Sequence, residues 1–141
     1  MKTVLMLMFG FSIVLPSHAG FDGLWLRCLP EWNRASPVML LEIDKVESKW
    51  LAEWGQPYSA SGTAKRDRKG RLTLSGCSSF RGEISEGCDK ENPPVFLTLP
   101  QELSTERARA TDRRLKEGAW IKTSKSEWAS LEKRCESFVK S

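Results

Sequence analysis

All four cysteines of this chain, Cys28, Cys77, Cys88 and Cys135, lie at least eleven positions apart and follow an apolar leader. No C-x-x-C pair is present, which argues against a four-thiolate metal site and against a redox dithiol. An even number of widely spaced cysteines in a small exported domain predicts two disulfides, formed in an oxidising compartment. Three connectivities are open to four cysteines. The favoured one pairs Cys77 with Cys88, closing a short loop rich in Gly and Ser, and Cys28 with Cys135, tying the first strand to the last helix. Each bridge would contribute about 2–4 kcal/mol, a large share of the stability of so small a domain.

The leader reads as an address. Lys2 supplies a positive start, Val4 to Leu15 is an almost unbroken apolar run, Pro16 breaks any helix, and Ser17-His18-Ala19 has small residues at a signal-peptidase site. A run of twelve residues falls short of the ~20 that span a bilayer as a helix. The expectation is a secretory signal over residues 1–19, cut after Ala19, of bacterial type. The mature chain, residues 20–141, is then periplasmic or secreted and has no membrane span. Gly20 in place of cysteine after the cut argues against a lipid anchor.

Removing the leader removes His18, the only histidine. Serine–histidine and cysteine–histidine catalysis, histidine-ligated zinc and histidine pH switching go with it. No cofactor is implied. Of 22 basic residues one lies in the leader, so 21 face 18 acidic ones in the mature chain. A surplus of three is too mild to imply nucleic acid.

The mature 122 residues suffice for one domain. Gly23 to Cys28 is a short apolar stretch ended by Pro30. Val38 to Val46 alternates Met39, Leu41 and Ile43 on one face, Glu47-Ser48-Lys49 turns, and Trp50, Ala52 and Trp54 alternate on the return arm. Ser61 to Arg66 and Arg71 to Ser75 flank Asp67-Arg68-Lys69-Gly70, a type I turn with glycine at its end. Gly76 to Pro94 reads as a loop containing a short strand at Phe80 to Ile84, and Val95 to Leu99 as the last strand. Beyond Pro100, Ser104 is placed to cap a helix from Thr105 to Glu117 stopped by Gly118. Ser124 and Glu127 form a capping box before a stripe of Trp128, Leu131, Cys135 and Phe138. The expected fold is α+β: a small disulfide-stapled antiparallel β-barrel or curved sheet, followed by a helical tail of two helices over about residues 101–141.

Gly23-Leu24-Trp25 resembles the G-x-W of the first strand in lipocalins and similar barrels, a likeness of three residues. It implies a barrel whose floor is plugged by Trp25.

Candidate chemistry is sparse. Six tryptophans stand against one tyrosine. Trp25, Trp50 and Trp128 sit on apolar faces and belong to the core, whereas Trp32, among Pro30, Glu31 and Asn33, is placed for a surface. Lys65 to Arg71 holds five basic residues in seven. Arg66, Arg68, Lys69 and Arg71 on a hairpin tip would form either a cationic finger for an anionic partner or a solvated turn that resists edge aggregation. The basic set Arg107 to Lys116 is interleaved with acids, as ordinary helix surface is. Phe80 and Arg81 complete the candidate contact set. Glu83, Glu86, Asp89 and Glu91 around Cys88 could supply a carboxylate pair for glycan hydrolysis, or oxygens for calcium, but match no standard calcium loop. No phosphate loop, dinucleotide fingerprint or G-x-S-x-G is present.

The reading that follows is a non-catalytic binding protein whose partner is a protein of the envelope or a secreted enzyme. By class analogy it is an inhibitor or immunity factor against a cell-wall-active enzyme. The alternatives are a small-molecule or lipid carrier with a lipocalin-like barrel, and a histidine-free glycan-acting enzyme using Glu83 and Glu86.

Overall fold

The structure, a computed structural model, describes residues 20–28, 38–55, 58–105 and 110–139. The leader and Trp32 lie outside these residues. Eight strands form one antiparallel sheet: β1 (Gly23–Cys28), β2 (Val38–Ile43), β3 (Lys49–Glu53), β4 (Tyr58–Arg66), β5 (Leu72–Phe80), β6 (Glu83–Ile84), β7 (Val95–Leu99) and β8 (Ile121–Thr123). The pairing order is β6-β5-β4-β3-β2-β1-β8, and β7 also pairs with β5. A 3₁₀ helix (Gln101–Thr105), the five-residue helix α1 (Asp112–Lys116) and α2 (Trp128–Val139) complete the chain.

Period-two alternation gives the sheet two apolar faces. On the first, Trp25, Leu41, Ile43, Trp50, Ala52, Leu72, Leu74 and Leu99 are buried together. The opposite face of β1, β2 and β8 carries Leu26, Cys28, Val38 and Ile121, and meets Leu115 of α1 with Leu131 and Cys135 of α2. The last helix presents the stripe its spacing predicts, with Trp128 and Phe138 half-buried at its ends. Cys28 joins Cys135 and Cys77 joins Cys88, the favoured pairing.

The sheet does not close into a barrel. The outer edge of β1 is met only by the three residues of β8, while the outer edge of β5 is taken by β6 and β7. Among the described residues no pairing joins β6 or β7 to β8. Trp25 is fully buried, as a floor tryptophan would be, but its indole donates to the Phe21 carbonyl at 2.7 Å within an open sheet.

Several boundaries differ from expectation. The β2–β3 turn begins at Asp44, whose carboxylate accepts from the amides of Val46 and Glu47, so Val46 leaves the strand for the turn. Strand β5 continues four residues past Gly76, through a segment read as loop. Ser104 lies within the 3₁₀ helix, where its hydroxyl donates to the Gln101 carbonyl, and residues 106–109 of the expected helix lie outside the described residues. The α-helix starts after Thr111, whose side chain accepts from the Arg114 amide. The Ser124 hydroxyl meets the Ser126 hydroxyl at 3.0 Å, and the Ser124 carbonyl accepts from the amides of Glu127 and Trp128.

Candidate functional site

The β5–β6 connection is a two-residue hairpin. Phe80 pairs with Glu83, and the residues between them, Arg81 (φ 51°) and Gly82 (φ 79°), both take left-handed backbone. This is the pattern of a type I′ turn, whose twist matches antiparallel strands. Glycine adopts it freely, whereas a side chain such as that of Arg81 pays about 1–2 kcal/mol. The neighbourhood holds the turn in place. Ser85 donates its amide to the Ser78 carbonyl at 2.9 Å, the two hydroxyls lie 2.8 Å apart, and Cys77–Cys88 staples the base.

This rigid hairpin displays apolar surface. Phe80 is 45% exposed, Ile84 42% and Tyr58, its neighbour on β4, 40%. The aromatic surface is rooted in the core by a file of rings. Trp50 stacks on Phe96 at 5.0 Å, Phe96 on Trp54 at 5.6 Å, Trp54 on Tyr58 at 6.2 Å, and Tyr58 meets Phe80 at 5.1 Å. The Arg81 guanidinium lies 5.3 Å from the Phe80 ring centre. Tyr58 and Arg81 both pack against Phe80, a partly supported aromatic of the kind that anchors interfaces.

A groove of ≈ 490 Å³ runs from this hairpin to α2, lined by Leu40, Glu53, Tyr58, Arg81, Trp128 and Glu132. Burial, reinforced by the neighbouring Glu136 carboxylate, raises the pKa of Glu132 above the ordinary glutamate value.

The basic hairpin stands at the other end of the sheet. Nine residues of β5, about 27 Å from first to last at strand rise, separate Leu72 from Phe80. The candidate contact residues are therefore not one site: Arg66, Arg68, Lys69 and Arg71 cluster at one end, Phe80 and Arg81 at the other. Two of the four cations serve the hairpin itself. The Asp67 carboxylate accepts from the Lys69 and Arg71 amides at 2.9 Å each and from Arg71 Nε at 2.8 Å. Arg66 Nε donates to the Gly70 carbonyl, and its guanidinium lies over the Phe21 ring. Desolvation pushes the Asp67 carboxyl upward, but the Arg71 contacts and the Lys69 amide together hold it below its usual value. Arg68 and Lys69 are exposed.

Glu83, Glu86, Asp89 and Glu91 are all exposed along the stapled loop, and Asp89 is occupied in accepting from the Glu91 amide. Among the described residues no group of three or more acidic or cysteine side chains is placed to hold a metal ion. No described helix is long and apolar enough to cross a membrane. Tyr58 and Ile84 are additions to the sequence-based set. The signal for Ile84 was an apolar residue within an acidic stretch, and the signal for Tyr58 was the chain's single tyrosine opening a strand. Comparison with family models, curated proteins and solved structures finds no match.

Proposed function

We propose that this chain is an exported binding protein, periplasmic or secreted, that acts by recognising another protein and not by catalysis. Its contact element is the stapled hairpin of Phe80, Arg81 and Ile84 with Tyr58 beside it. The partner fitting an exported, disulfide-held domain with one rigid projecting finger is a cell-wall-active enzyme, towards which the protein serves as inhibitor or immunity factor. The observation that carries this reading is Arg81 in left-handed backbone at the tip, beside an exposed Phe80 on which its guanidinium packs. Backbone strain and exposed apolar surface each oppose stability, and their coincidence on a clamped turn points to selection for contact. Tyrosine and arginine, the residue types richest in interface hot spots, both stand there. The carrier reading draws less support, because the face that would line a lumen is filled by Trp25, Leu41, Trp50, Leu72 and Leu74.

The test immobilises the oxidised, processed protein and passes envelope and secreted extracts over it. One stoichiometric protein held at both low and high salt, and lost with Phe80→Ala/Arg81→Glu, is the expected result. That protein is then assayed for peptidoglycan cleavage with and without the captured domain. Equal retention by the double variant, at unchanged thermal stability, sinks the proposal.

A further inference from the structure

The end of the sheet opposite the stapled hairpin carries the densest basic run of the chain, Lys65 to Arg71. Two adjacent turns form this end, Asp44–Ser48 between β2 and β3 and Asp67–Arg71 between β4 and β5. Their backbones are joined where the Ala64 amide donates to the Ser48 carbonyl at 2.8 Å. From Asp44 to Lys49 and from Lys65 to Arg71 there are seven cations against three carboxylates, a surplus of four. With Glu102 of the 3₁₀ helix counted, since Gln101 packs on Gly70, the surplus is three. The segment Phe80–Pro94 at the far end holds two cations against four carboxylates. The mild net charge of the chain thus conceals two oppositely charged segments, the basic pair of turns and the acidic stapled loop.

The carboxylates of the basic end are spent internally. Asp44 accepts from the Val46 and Glu47 amides, Asp67 holds its own hairpin, and Glu47 pairs with Lys49 at 3.1 Å. Lys65, Arg68 and Lys69 are exposed, and Arg68 and Lys69 have no ion-pair partner among the described residues. On the adjoining β2–β3 turn, next to Lys45 in sequence, stands Val46, 85% exposed, the most exposed of the large apolar side chains among the described residues. Asp44 fixes it there, since the two amides its carboxylate receives define the turn. An apolar residue held at a turn tip next to a basic hairpin suits a surface that is anionic outside and hydrocarbon within. An acidic protein or a nucleic acid would match the charge but leave Val46 without a role.

We infer that this end of the sheet docks on an anionic phospholipid bilayer surface, with Arg68, Lys69 and Lys65 against the headgroups and Val46 entering the interface. The docking is peripheral and reversible. It leaves the stapled hairpin, at the other end of the strands, facing away from the membrane.

The test uses protein expressed with its own leader, so that the processed, oxidised form is purified, and large unilamellar vesicles. Vesicles of phosphatidylglycerol and phosphatidylethanolamine are compared with vesicles of phosphatidylcholine alone, by co-sedimentation at increasing salt. Expected are co-sedimentation with the anionic vesicles only, and its decline as salt shortens the reach of the headgroup field. Arg68→Glu/Lys69→Glu should lower the partition coefficient about tenfold or more, and Val46→Asp about threefold to tenfold. Both changes fall on exposed side chains, and circular dichroism melts confirm that the variants are folded. Equal binding to neutral vesicles, or binding indifferent to the double reversal, overturns the inference. So does retention on a soluble polyanion such as heparin without retention on vesicles. Phe80→Ala/Arg81→Glu should leave vesicle binding unchanged, which separates this inference from the proposed partner recognition.

Discussion

The indole Nε1 of Trp50, on β3, lies 3.0 Å from the Thr63 carbonyl of β4 and 3.2 Å from the Ser75 carbonyl of β5. One side chain thus spans three strands. Ser75 is where the register of β5 against β7 shifts, and the Trp50 ring stacks on Phe96 of β7 as well. The tryptophan ties together the part of the sheet from which the stapled hairpin projects.

Replacing Trp50 should therefore cost more than its apolar volume alone. Trp50→Phe keeps a ring for Phe96 but leaves two carbonyls without their donor, at about 1–3 kcal/mol. Trp50→Ala adds a cavity and should cost about 3–5 kcal/mol. Urea denaturation of both variants, followed by far-UV circular dichroism, gives the two values.

The glycines beneath that ring should tolerate nothing larger. Gly62 and Gly76 face each other across β4 and β5, and a Cβ on either would overlap the opposing backbone. On Gly76 it would also press on the Trp50 ring at 2.8 Å. Gly76→Ala should leave little folded protein. Gly82→Ala meets nothing within 4 Å and strains only a positive φ, so its cost should be about 1–2 kcal/mol. Comparing melting temperatures of the two variants is sufficient.

The two disulfides should differ in what they hold. Cys28–Cys135 closes 107 positions and Cys77–Cys88 only 11. Loop-closure entropy gives about 5 kcal/mol for the first and about 3 kcal/mol for the second. Cys77→Ser/Cys88→Ser should spare the inner core and loosen the hairpin, seen as faster amide exchange confined to Ser78–Ser85.

Two carboxylates should titrate in opposite senses. The folded pKa of Asp67 is lowered, so its contribution is complete above 3.8 and fades as pH falls through the lowered value. Asp67→Asn should flatten the acid limb of stability below that point. The folded pKa of Glu132 is raised, so ionised Glu132 opposes folding at neutral pH, and relief comes as pH falls through the raised value towards 4.5. Glu132→Gln should raise Tm at pH 7 by about 1–3 °C and lose that advantage below pH 4. Calorimetry across pH 3–8 checks both.

The elements legible in the sequence are those whose own residues carry the pattern. Met39, Leu41 and Ile43 alternate, Asp67 and Gly70 frame a turn, and Trp128, Leu131, Cys135 and Phe138 return at helical spacing. The second half of β5 was illegible because its inner face is filled from elsewhere. Gly76 supplies no side chain, since the Trp50 indole occupies its place, and the remaining residues through Ser79 are small and polar. Strand β8 is illegible in the sequence because three residues are too few to show a period. The aromatic file could not be read at all, as its five rings come from β3, the β3–β4 connection, β4, β5 and β7. Of the candidate site, Phe80 and Arg81 were visible and their separation from the basic hairpin was not, because it depends on how far β5 runs.

The outer edge of β5 is divided, with β7 taking Leu72 to Ser75 and β6 taking Ser79 and Phe80. Leu72 and Leu74 are fully buried, whereas Phe80 and Ile84 stand in solvent. Mutation in one half must repack a core, while mutation at Phe80 or Ile84 disturbs only the contacts of a half-exposed side chain, for Phe80 the Tyr58 ring and the Arg81 guanidinium. Substitution at Phe80 or Ile84 should therefore disturb the fold far less than substitution at Leu72 or Leu74, so the surface chemistry of this end of the strand can change while the core that holds it does not.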